Sequence, residues 1–420
     1  MNRVVSPGPL SGTFRAPASK SHAHRLLICA ALGRTPVTVF CDTFSDDILA
    51  TIDCLCAMGA KIAVDGSKIT VSPVFENPKP IELCKLMCRE SGSTLRFLLP
   101  VVGALGLTAV FELEGRLPER PLHPFDTVLQ SHGMSISQDG SKLFVSGKLT
   151  PGAFRLPGNV SSQYFSGLVF ALPLLNGEST LDVEGTLQSA KYLEMTQKAV
   201  LRSGVQLIKT ETGFQVPGGQ TYCLPSNLSA EGDWSGAAFF LCAGALSETG
   251  ILAEGLDAGS TQADRAVLDI LCRFGAEVSV TKSGVFVRKA ALHGITIDAG
   301  PIPDLIPAVA AVAAFADGKT SITNAARLRL KESDRLHTVA ETIHALGGCA
   351  EELPDGLVIT GKPQLKGGTA DSFGDHRIAM LAAVLASGCE TEVTVQNAAC
   401  TSKSYPNFWE TLASLKGGLA

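Results

Sequence analysis

The sequence predicts an α/β fold with two domains, each built from three βαβαββ units, and two periodic features lead to this prediction. Apolar helical segments end at glycines that recur 70 to 74 residues apart: Gly59, Gly133, Gly204, Gly275, Gly347 and Gly417. A glycine just past a helix accommodates the left-handed conformation that ends it. Polar loops that open apolar helices recur at nearly the same interval: Lys20, Gly92, Ser161, Asp233, Asp304 and Asp375.

Each copy combines two helices with short strands. Most glycine-terminated helices are followed by a strand, a polar turn and a second strand, as in "KIAVDGSKITVS". The sixth copy ends at Gly417 without room for a strand pair, so we expect the N-terminal strands "RVVSP" and "GTFRAP" to complete it. One domain then covers 1–18 plus 229–420 and the other 19–228, with a hinge near 18–20 and 226–230.

Composition excludes several classes of protein. The chain has 420 residues, 45% of them hydrophobic, and a net charge of −5, which offers no basic face to nucleic acid. Twelve cysteines form no zinc-binding spacing, so we expect no metal and read them as small buried residues. The first fifteen residues lack the apolar core of a signal peptide, and the apolar segments 97–111 and 305–316 are too short for a membrane span. We expect a cytoplasmic protein.

Chemically distinctive residues are concentrated in the loops before helices, where free backbone N–H groups favour anions. These residues are Lys20, Ser21, Arg25, Gly92, Ser93, Arg96, Arg120, Ser161, Ser162, Gln163, Asp304, Lys331, Glu332, Arg335, His376, Arg377 and Lys403. A second family of loops precedes the glycine-terminated helices: "SDDILA", "PERPLH", "SAKYLE", "TQADRA", "KESDRL" and "SKSYPN". Clustered cations at helix N-termini predict ligands with phosphate and carboxylate groups. No Walker-type or G-x-G-x-x-G loop supports nucleotide binding.

Each residue alone has a plainer interpretation. A single Arg in such a loop is typical of a surface salt bridge, and Ser161 with Ser162 is typical of an N-cap. Asp233, Asp304 and Asp375 are also capping candidates. His22 and His24 are exposed or packing residues as readily as catalytic ones. The recurrence of polar residues in the same two loops of all six copies favours a ligand site.

Seven motifs resemble the 5-enolpyruvylshikimate-3-phosphate synthase family, in order along residues 16–406. They are "SKSHAHR", "ESGSTLRFLLP", "LPERPL", "GNVSSQY", "IPDLIPA", "LRLKESDR" and "GDHRIAM". The resemblance implies pseudo-threefold domains of the inside-out α/β barrel type, with the active site in the interdomain cleft. It also implies transfer of the enolpyruvyl group of phosphoenolpyruvate to the 5-hydroxyl of shikimate 3-phosphate by addition and elimination. No cofactor is implied, and a monomer is the simplest expectation.

The resemblance also assigns residues. Asp304 would be the base toward the hydroxyl, while Glu332 and Lys20 are alternative proton donors to the methylene carbon. Shikimate 3-phosphate would be held by Lys20, Ser21, Arg25, Ser161, Ser162, Gln163, Ser189, Tyr192, Asp304 and Lys331. Phosphoenolpyruvate would be held by Lys20, Gly92, Arg120, Gln163, Arg335, Arg377 and Lys403. Sensitivity to glyphosate is a further implication.

Two departures from the family pattern and two rival functions remain. Glu90 and Ser93 replace an Asn and a Thr found in many members, and an extra carboxylate near anions must point away or pair, for instance with Arg96. Arg327 replaces an Asn found in some members. The related UDP-N-acetylglucosamine transferases usually carry a Cys within the segment that corresponds to residues 113–122, and this chain has none there. A non-catalytic anion-binding protein is not expected to retain Asp304, Glu332 and Lys20.

Overall fold

Helices and strands follow one another in a repeating β-α-β-α-β-β order. The computed structural model describes residues 1–76 and 83–416. Five of the predicted helix-terminating glycines, from Gly59 to Gly347, adopt left-handed φ angles between +76° and +111°. The sixth, Gly417, lies outside the described residues. The chain begins with strands β1 (Arg3–Val5) and β2 (Gly12–Arg15).

Two compact units divide the chain. One contains Lys20–Ala230, and the other combines Met1–Ser19 with Glu231–Ala420. Residues up to Ala230 belong with the first unit because Asn227–Ser229 pairs in parallel with Thr38–Phe40. The α/β class with two domains, predicted from the repeats, is confirmed.

The unit Lys20–Ala230 carries six helices among its described residues. They are α1 (Lys20–Ala31), α2 (Asp46–Ala57), α3 (Gly92–Leu105), α4 (Phe125–Ser131), α5 (Ser162–Ala171) and α6 (Ala190–Arg202). Its strands are β3 (Val37–Phe40), β4 (Lys61–Asp65), β5 (Lys68–Ser72), β6 (Cys84–Arg89), β7 (Ala109–Leu113), β8 (Met134–Asp139), β9 (Lys142–Gly147), β10 (Ala153–Pro157), β11 (Ser179–Glu184), β12 (Ile208–Lys209), β13 (Gly213–Val216) and β14 (Asn227–Ser229).

The discontinuous unit also has six helices among its described residues, with eleven strands against the twelve of the first unit. Its helices are α7 (Trp234–Ala245), α8 (Val267–Phe274), α9 (Ile306–Ala313), α10 (Arg335–Ala345), α11 (His376–Leu385) and α12 (Phe408–Lys416). Its further strands are β15 (Ile251–Glu254), β16 (Glu277–Val280), β17 (Val285–Arg288), β18 (Thr296–Asp298), β19 (Lys319–Thr323), β20 (Cys349–Leu353), β21 (Gly356–Thr360), β22 (Gly368–Asp371) and β23 (Val393–Gln396). Short 3-10 helices cover Val74–Glu76, Leu117–Glu119, Leu172–Leu174, Ala263–Ala266, Ala326–Leu330, Ala386–Gly388 and Ala398–Lys403.

Each repeat contributes one small mixed sheet. The strand orders are β14-β3-β5-β4, β6-β7-β9-β8, β10-β11-β13-β12, β2-β15-β17-β16, β18-β19-β21-β20 and β22-β23-β1. In the four-stranded sheets the first two strands are parallel, as in β6 and β7, and the hairpin that follows the second helix adds two antiparallel strands. Where the two parallel strands follow one another in the chain, as β6 and β7 do, the helix between them starts at the carboxyl end of the first strand, where ligands commonly bind in α/β folds.

The prediction that both N-terminal strands complete the last repeat is correct for β1 and wrong for β2. Strand β1 does complete it, pairing antiparallel with β23 from Arg3–Val395 to Val5–Val393. Strand β2 instead pairs in parallel with β15 of the fourth repeat, from Gly12–Ile251 to Glu254–Arg15. Sequence pattern does not distinguish these destinations, because an edge strand of three or four residues carries no register information of its own.

Buried helices form the core of each unit. Nearly every residue of α7 and α11 is buried, and α7, α9 and α11 pack against one another. Apart from His376 and Arg377 at the start of α11, these helices are apolar all round, unlike the half-exposed α6 or α8. Within the described ranges no helix combines the length and apolar character that crossing a membrane requires.

Candidate active site

The predicted loop residues lie at helix N-termini, and several of them cap those helices. Ser161 accepts a hydrogen bond from the Gln163 amide at 3.3 Å. Asp233 accepts one from the Gly236 amide at 2.9 Å, and Asp375 one from the Arg377 amide at 2.9 Å. The capping interpretation of these three residues is confirmed. At the fourth candidate, Asp304, the cap position of α9 is occupied by the next residue, Leu305, whose side chain makes no capping bond.

Lys20 is the first residue of α1 and pairs with a buried carboxylate. Its Nζ lies 2.9 Å from Asp47 Oδ2, and the Asp47 side chain is 6% exposed. Asp47 stands at the start of α2, in the second family of loops. The pair keeps a cation at a helix N-terminus, a position that the helix dipole would otherwise disfavour.

His24 anchors a chain of hydroxyl groups beneath this pair. Its Nδ1 lies 2.7 Å from Thr51 Oγ1, which lies 2.7 Å from Thr94 Oγ1. Thr94 in turn donates to Ser91 Oγ at 2.7 Å, and Ser91 caps α3. Burial lowers the pKa of His24 to about 3, so the ring is neutral at physiological pH. The histidine therefore connects the N-terminal parts of α1, α2 and α3 as a packing residue.

Arg25 is a buried cation surrounded by neutral acceptors. Its Nε donates to Thr196 Oγ1 at 2.8 Å, Nη1 to the Ser21 carbonyl at 2.6 Å and Nη2 to the Tyr192 carbonyl at 2.8 Å. The guanidinium also lies over the Phe97 ring at 5.0 Å. Burial lowers the pKa of Arg25 to about 10. A buried cation with neutral neighbours favours an anionic ligand.

Gly92 begins α3 beneath two guanidinium groups. A Cβ at this position would lie 2.5 Å from Arg96 Nη1 and 2.9 Å from Arg120 Nη1. Arg96 Nη1 donates to Gln163 Oε1 at 3.2 Å, and Gln163 Nε2 donates to Ser93 Oγ at 3.0 Å. The structure thus brings together five of the residues predicted from the sequence. Only a glycine leaves both arginines in these positions.

Ser162, Ser189 and Tyr192 complete the predicted set in this unit. Ser162 is the first residue of α5, and it is buried. Ser189 is buried with φ of +56°, and its side chain makes no capping bond to α6. Left-handed backbone in a residue other than glycine is typical of functional positions. Tyr192 is half-buried and presents its carbonyl to Arg25.

Glu90, one of the departures from the family pattern, is half-buried against a turn. A Cβ on Gly115, whose φ is +54°, would lie only 1.4 Å from Glu90 Oε1. The carboxylate therefore occupies the space above the Gly115 backbone.

Asp304 is the centre of a second cluster, in the discontinuous unit. Its Oδ1 lies 3.1 Å from Lys331 Nζ and 2.9 Å from Arg335 Nη1. Arg377 Nη1 donates to its main-chain carbonyl at 2.6 Å. Burial by itself would raise the pKa of the Asp304 carboxyl, but Lys331, Arg377 and Arg335 together hold it well below its usual value. Asp304 is therefore ionised at neutral pH.

Arg335 binds three carboxylates at once. Besides Asp304, its Nη2 lies 2.8 Å from Glu332 Oε2, and its Nε lies 2.8 Å from Asp375 Oδ2. A further bond runs from Nη2 to Asp375 Oδ1 at 3.2 Å. The side chain is 1% exposed, and burial would lower the pKa of Arg335, but the three carboxylates raise it above its usual value. Arg335 therefore organises the carboxylates and retains few N–H groups for a ligand.

The remaining predicted residues of this unit lie near the same helix ends. His376 is the buried first residue of α11, with its Nδ1 3.7 Å from Asp375 Oδ1. Lys403 is buried at the end of the 3-10 helix Ala398–Lys403. Arg327 is half-buried within electrostatic reach of Lys331. Burial lowers the pKa of Lys331.

Sequence reasoning missed three buried partners: Asp47, Thr196 and Asp264. Asp47 and Asp264 belong to the second family of loops, and their position there was the available signal. Thr196 lies inside α6 and carries no such signal. In the described parts of the chain, no group of three or more His, Cys, Asp or Glu residues is arranged to hold a metal ion.

Comparison with known proteins identifies one family over nearly the whole chain. The model of the family "EPSP synthase (3-phosphoshikimate 1-carboxyvinyltransferase)" matches residues 4–412. A 3-phosphoshikimate 1-carboxyvinyltransferase of Clostridium acetobutylicum is 39% identical over 99% of this chain and 98% of its own length. The enzyme of the same name from Clostridium kluyveri is 38% identical over 98% and 97%.

Solved structures agree in fold. An EPSP synthase structure from Acinetobacter baumannii covers 98% of this chain and 97% of its own, with a TM-score of 0.82 and 24% identity. The enolpyruvyl transferase NikO from Streptomyces tendae gives a TM-score of 0.80 at 18% identity, covering 99% and 97%. With the family model matched from end to end and relatives near 39% identity, the chain belongs to the EPSP synthase family.

Proposed function

We propose that the chain transfers the enolpyruvyl group of phosphoenolpyruvate to the 5-hydroxyl of shikimate 3-phosphate and releases phosphate. The observation that carries the proposal is the Asp304 carboxylate, held ionised by Lys331, Arg335 and Arg377. Family membership and the names of the curated relatives support the same reaction. The rival acceptor UDP-N-acetylglucosamine is not favoured by either.

The proposed reaction has two steps with balanced atoms. In the addition, the 5-oxygen bonds to C2 of phosphoenolpyruvate, its proton passes to Asp304, and a second proton adds to the methylene carbon. In the elimination, the bond between C2 and the phosphate oxygen breaks, and phosphate leaves with the proton that Asp304 holds. The methyl carbon returns a proton to the residue that supplied it as the double bond re-forms. Asp304 is a weak base in the free protein, so its proton transfer accompanies formation of the carbon–oxygen bond.

Two residues remain alternatives for the proton donor to the methylene carbon. Glu332 is held by Arg335 at 2.8 Å, and Lys20 is held by Asp47 at 2.9 Å. Both side chains are fixed by a buried partner, which favours precise proton transfer. Variants of each, compared for exchange of the methylene protons with solvent, separate the two.

Substrate binding follows from the charges of the loops. We assign shikimate 3-phosphate to Arg25 with Lys20, Ser21, Ser161, Ser162, Gln163, Ser189, Tyr192, Asp304 and Lys331. We assign phosphoenolpyruvate to Arg120 and Arg377 with Lys20, Gly92, Gln163, Arg335 and Lys403. The neutral surroundings of Arg25 support its role toward a phosphate, because an incoming anion meets no competing carboxylate among its hydrogen-bond partners. A monomer in the cytoplasm remains a prediction from the sequence.

The test is phosphate release on mixing the protein with phosphoenolpyruvate and shikimate 3-phosphate. We expect release with this acceptor and none with UDP-N-acetylglucosamine. Asp304→Asn should lower kcat about 10²- to 10⁴-fold, the usual contribution of a general base. Asp317→Asn, which changes an exposed carboxylate in the same unit, is the matched control and should retain full activity. Equal activity of Asp304→Asn and wild type would contradict the assigned base.

A further inference from the structure

Asp264 is a buried carboxylate that the proposed reaction does not use. It lies in the 3-10 helix Ala263–Ala266 that precedes α8, and it is 1% exposed. Its Oδ2 accepts a hydrogen bond from Ser235 Oγ. Its Oδ1 is buried and has no hydrogen-bond partner among the described residues. A buried carboxylate oxygen without a donor is unusual enough to require an explanation.

Comparison with the first repeat shows what Asp264 lacks. The loop "TQADRA" around Asp264 is equivalent to "SDDILA", whose Asp47 is neutralised by Lys20 at 2.9 Å. In the fourth repeat the position equivalent to Lys20 is occupied by Asp233, which caps α7. Asp47 therefore has a cationic partner in its own repeat, whereas Asp264 has a second carboxylate, Asp233, at the equivalent position.

The charged groups that act on Asp264 come from three elements of the same unit. Arg377 on α11 attracts its negative charge, while Asp304 before α9 and Asp233 before α7 repel it. Burial is the largest influence and, despite Arg377, raises the pKa of Asp264 to about 6. The Arg377 guanidinium is committed at Nη1 to the Asp304 carbonyl and lies 3.9 Å from Asp304 Oδ2. Asp264 and Asp304 thus share the field of one arginine.

We propose that Asp264 is a proton-linked positioning residue, which takes up a proton from solvent when an anionic group of phosphoenolpyruvate binds Arg377. In its neutral form the carboxyl no longer competes with the substrate for that guanidinium. The inference rests on the proposed function, which assigns phosphoenolpyruvate to Arg377.

The direction of the pH dependence follows from linkage. An anion beside Arg377 cancels part of the attraction that lowers the Asp264 pKa, so this pKa is higher in the complex than in the free protein. Binding therefore takes up a fraction of a proton near and above pH 6, and affinity for phosphoenolpyruvate falls as the pH rises. A bound-state pKa higher by one unit gives about a tenfold effect at most.

The experiment compares the KM for phosphoenolpyruvate at saturating shikimate 3-phosphate in wild type and Asp264→Asn, across pH 5.5 to 8.5. The ratio of wild-type KM to variant KM should rise about three- to tenfold with pH, whatever its absolute value. Ionisation of the substrate itself cancels in this ratio. Ser235→Ala removes the bond that favours the ionised form, so it should shift the rise to higher pH. Asp269→Asn, at a 76% exposed carboxylate on α8, should follow wild type.

Urea unfolding supplies a readout that is independent of activity. The pKa of the Asp264 carboxyl is 3.8 in the unfolded chain and about 6 in the folded protein. On acidification the folded protein therefore binds this proton first, and the stabilisation that results is lost again as the pH rises through 6. The urea midpoint of wild type should therefore fall relative to Asp264→Asn between about pH 4 and 6.5.

The outcomes are distinct. A KM ratio that is flat with pH, in a wild-type protein that releases phosphate, overturns the role of Asp264 and leaves the proposed function intact. A wild-type protein inactive with both acceptors overturns the proposed function itself. A midpoint difference that does not change with pH shows that Asp264 does not titrate in this range, which also overturns the inference.

Discussion

Arg25 and Arg335 are both buried arginines in helices that begin at polar loops, yet their surroundings are opposite. Arg25, in the unit Lys20–Ala230, donates to one hydroxyl and two carbonyls, and burial lowers its pKa. Arg335, in the discontinuous unit, meets Asp304, Glu332 and Asp375, which raise its pKa against the effect of burial.

The difference separates two uses of the same residue type. A buried guanidinium without a carboxylate partner leaves its charge for a ligand, so Arg25 is suited to binding. The charge of a guanidinium bonded to three carboxylates is neutralised within the protein, and these bonds let Arg335 hold Asp304 and Glu332 in place. Arg25 is therefore a cation available to a ligand, whereas Asp304 and Glu332 are ionised carboxylates whose geometry Arg335 fixes.

The largest effect is expected for Arg335→Gln. Removing this guanidinium leaves the fully buried Asp375 and the half-buried Asp304 short of their counter-charge. Breaking a buried ion pair in this way costs about 3 to 5 kcal/mol. Urea unfolding should show this loss, whereas Arg329→Gln, which removes surface pairs with Asp334 and Glu352, should cost about 1 kcal/mol or less. Equal losses of unfolding free energy in Arg335→Gln and Arg329→Gln would contradict the view that Arg335 neutralises buried carboxylates.

Arg25→Gln should weaken the binding of shikimate 3-phosphate and destabilise the fold less than Arg335→Gln does. Loss of a charge-assisted bond to a phosphate costs about 1.5 to 3 kcal/mol, which corresponds to a roughly 10- to 100-fold higher KM for shikimate 3-phosphate. Its removal leaves no unpaired anion, because the buried charge has no carboxylate partner among its described contacts. It does remove three hydrogen bonds to neutral acceptors, each worth about 0.5 to 1.5 kcal/mol, so the free energy of unfolding should fall, but by less than in Arg335→Gln. Arg202→Gln, at an exposed position of α6, is the control. A large loss of stability with unchanged KM would reverse the roles of the two arginines.

Gly92→Ala tests the two cations above α3. The new Cβ would displace the Arg96 and Arg120 guanidinium ends, which are flexible, so the fold should tolerate it. Weakened bonds to phosphoenolpyruvate of about 1 to 2 kcal/mol should raise its KM roughly five- to thirtyfold. Steady-state kinetics measures this, with Gly259→Ala, where a Cβ meets nothing closer than 3.3 Å, as the control. An unchanged KM would exclude Arg120 as a ligand for this substrate.

His24 gives the stability of the protein a pH dependence that becomes visible only on acidification. The unfolded histidine binds a proton below pH 6.5, while the folded one stays neutral until about pH 3. Its contribution is therefore complete above pH 6.5 and is lost as the pH falls toward 3, by up to about 1.4 kcal/mol per pH unit.

Urea titrations of wild type and His24→Gln between pH 7 and 4.5 measure this slope. The variant should lose less stability on acidification, and His123→Gln, at a 77% exposed ring, should behave as wild type. Parallel slopes for all three proteins would show that His24 accepts a proton in the folded state.

Much of the fold was predictable because it depends on local pattern. The helix-terminating glycines, the N-caps Ser161, Asp233 and Asp375, and the clustering of cations in two loop families were all visible in the sequence. The destination of β2 was not, because a short edge strand can add to any sheet whose edge it reaches. The partners of a cation were equally hidden, since Asp375 is forty residues from Arg335 in the chain.

The sequence by itself determined the six-fold repeat, the α/β class and the family, because each rests on residues spaced at regular intervals or grouped in short motifs. Only the tertiary structure decided which charges neutralise one another. In the folded protein Asp47 pairs with Lys20, and Arg335 pairs with three carboxylates. Asp264 Oδ1 has no hydrogen-bond donor among the described residues. The physical reason is that electrostatic interactions depend on distance in space and on burial, and neither is encoded in the period of the repeat.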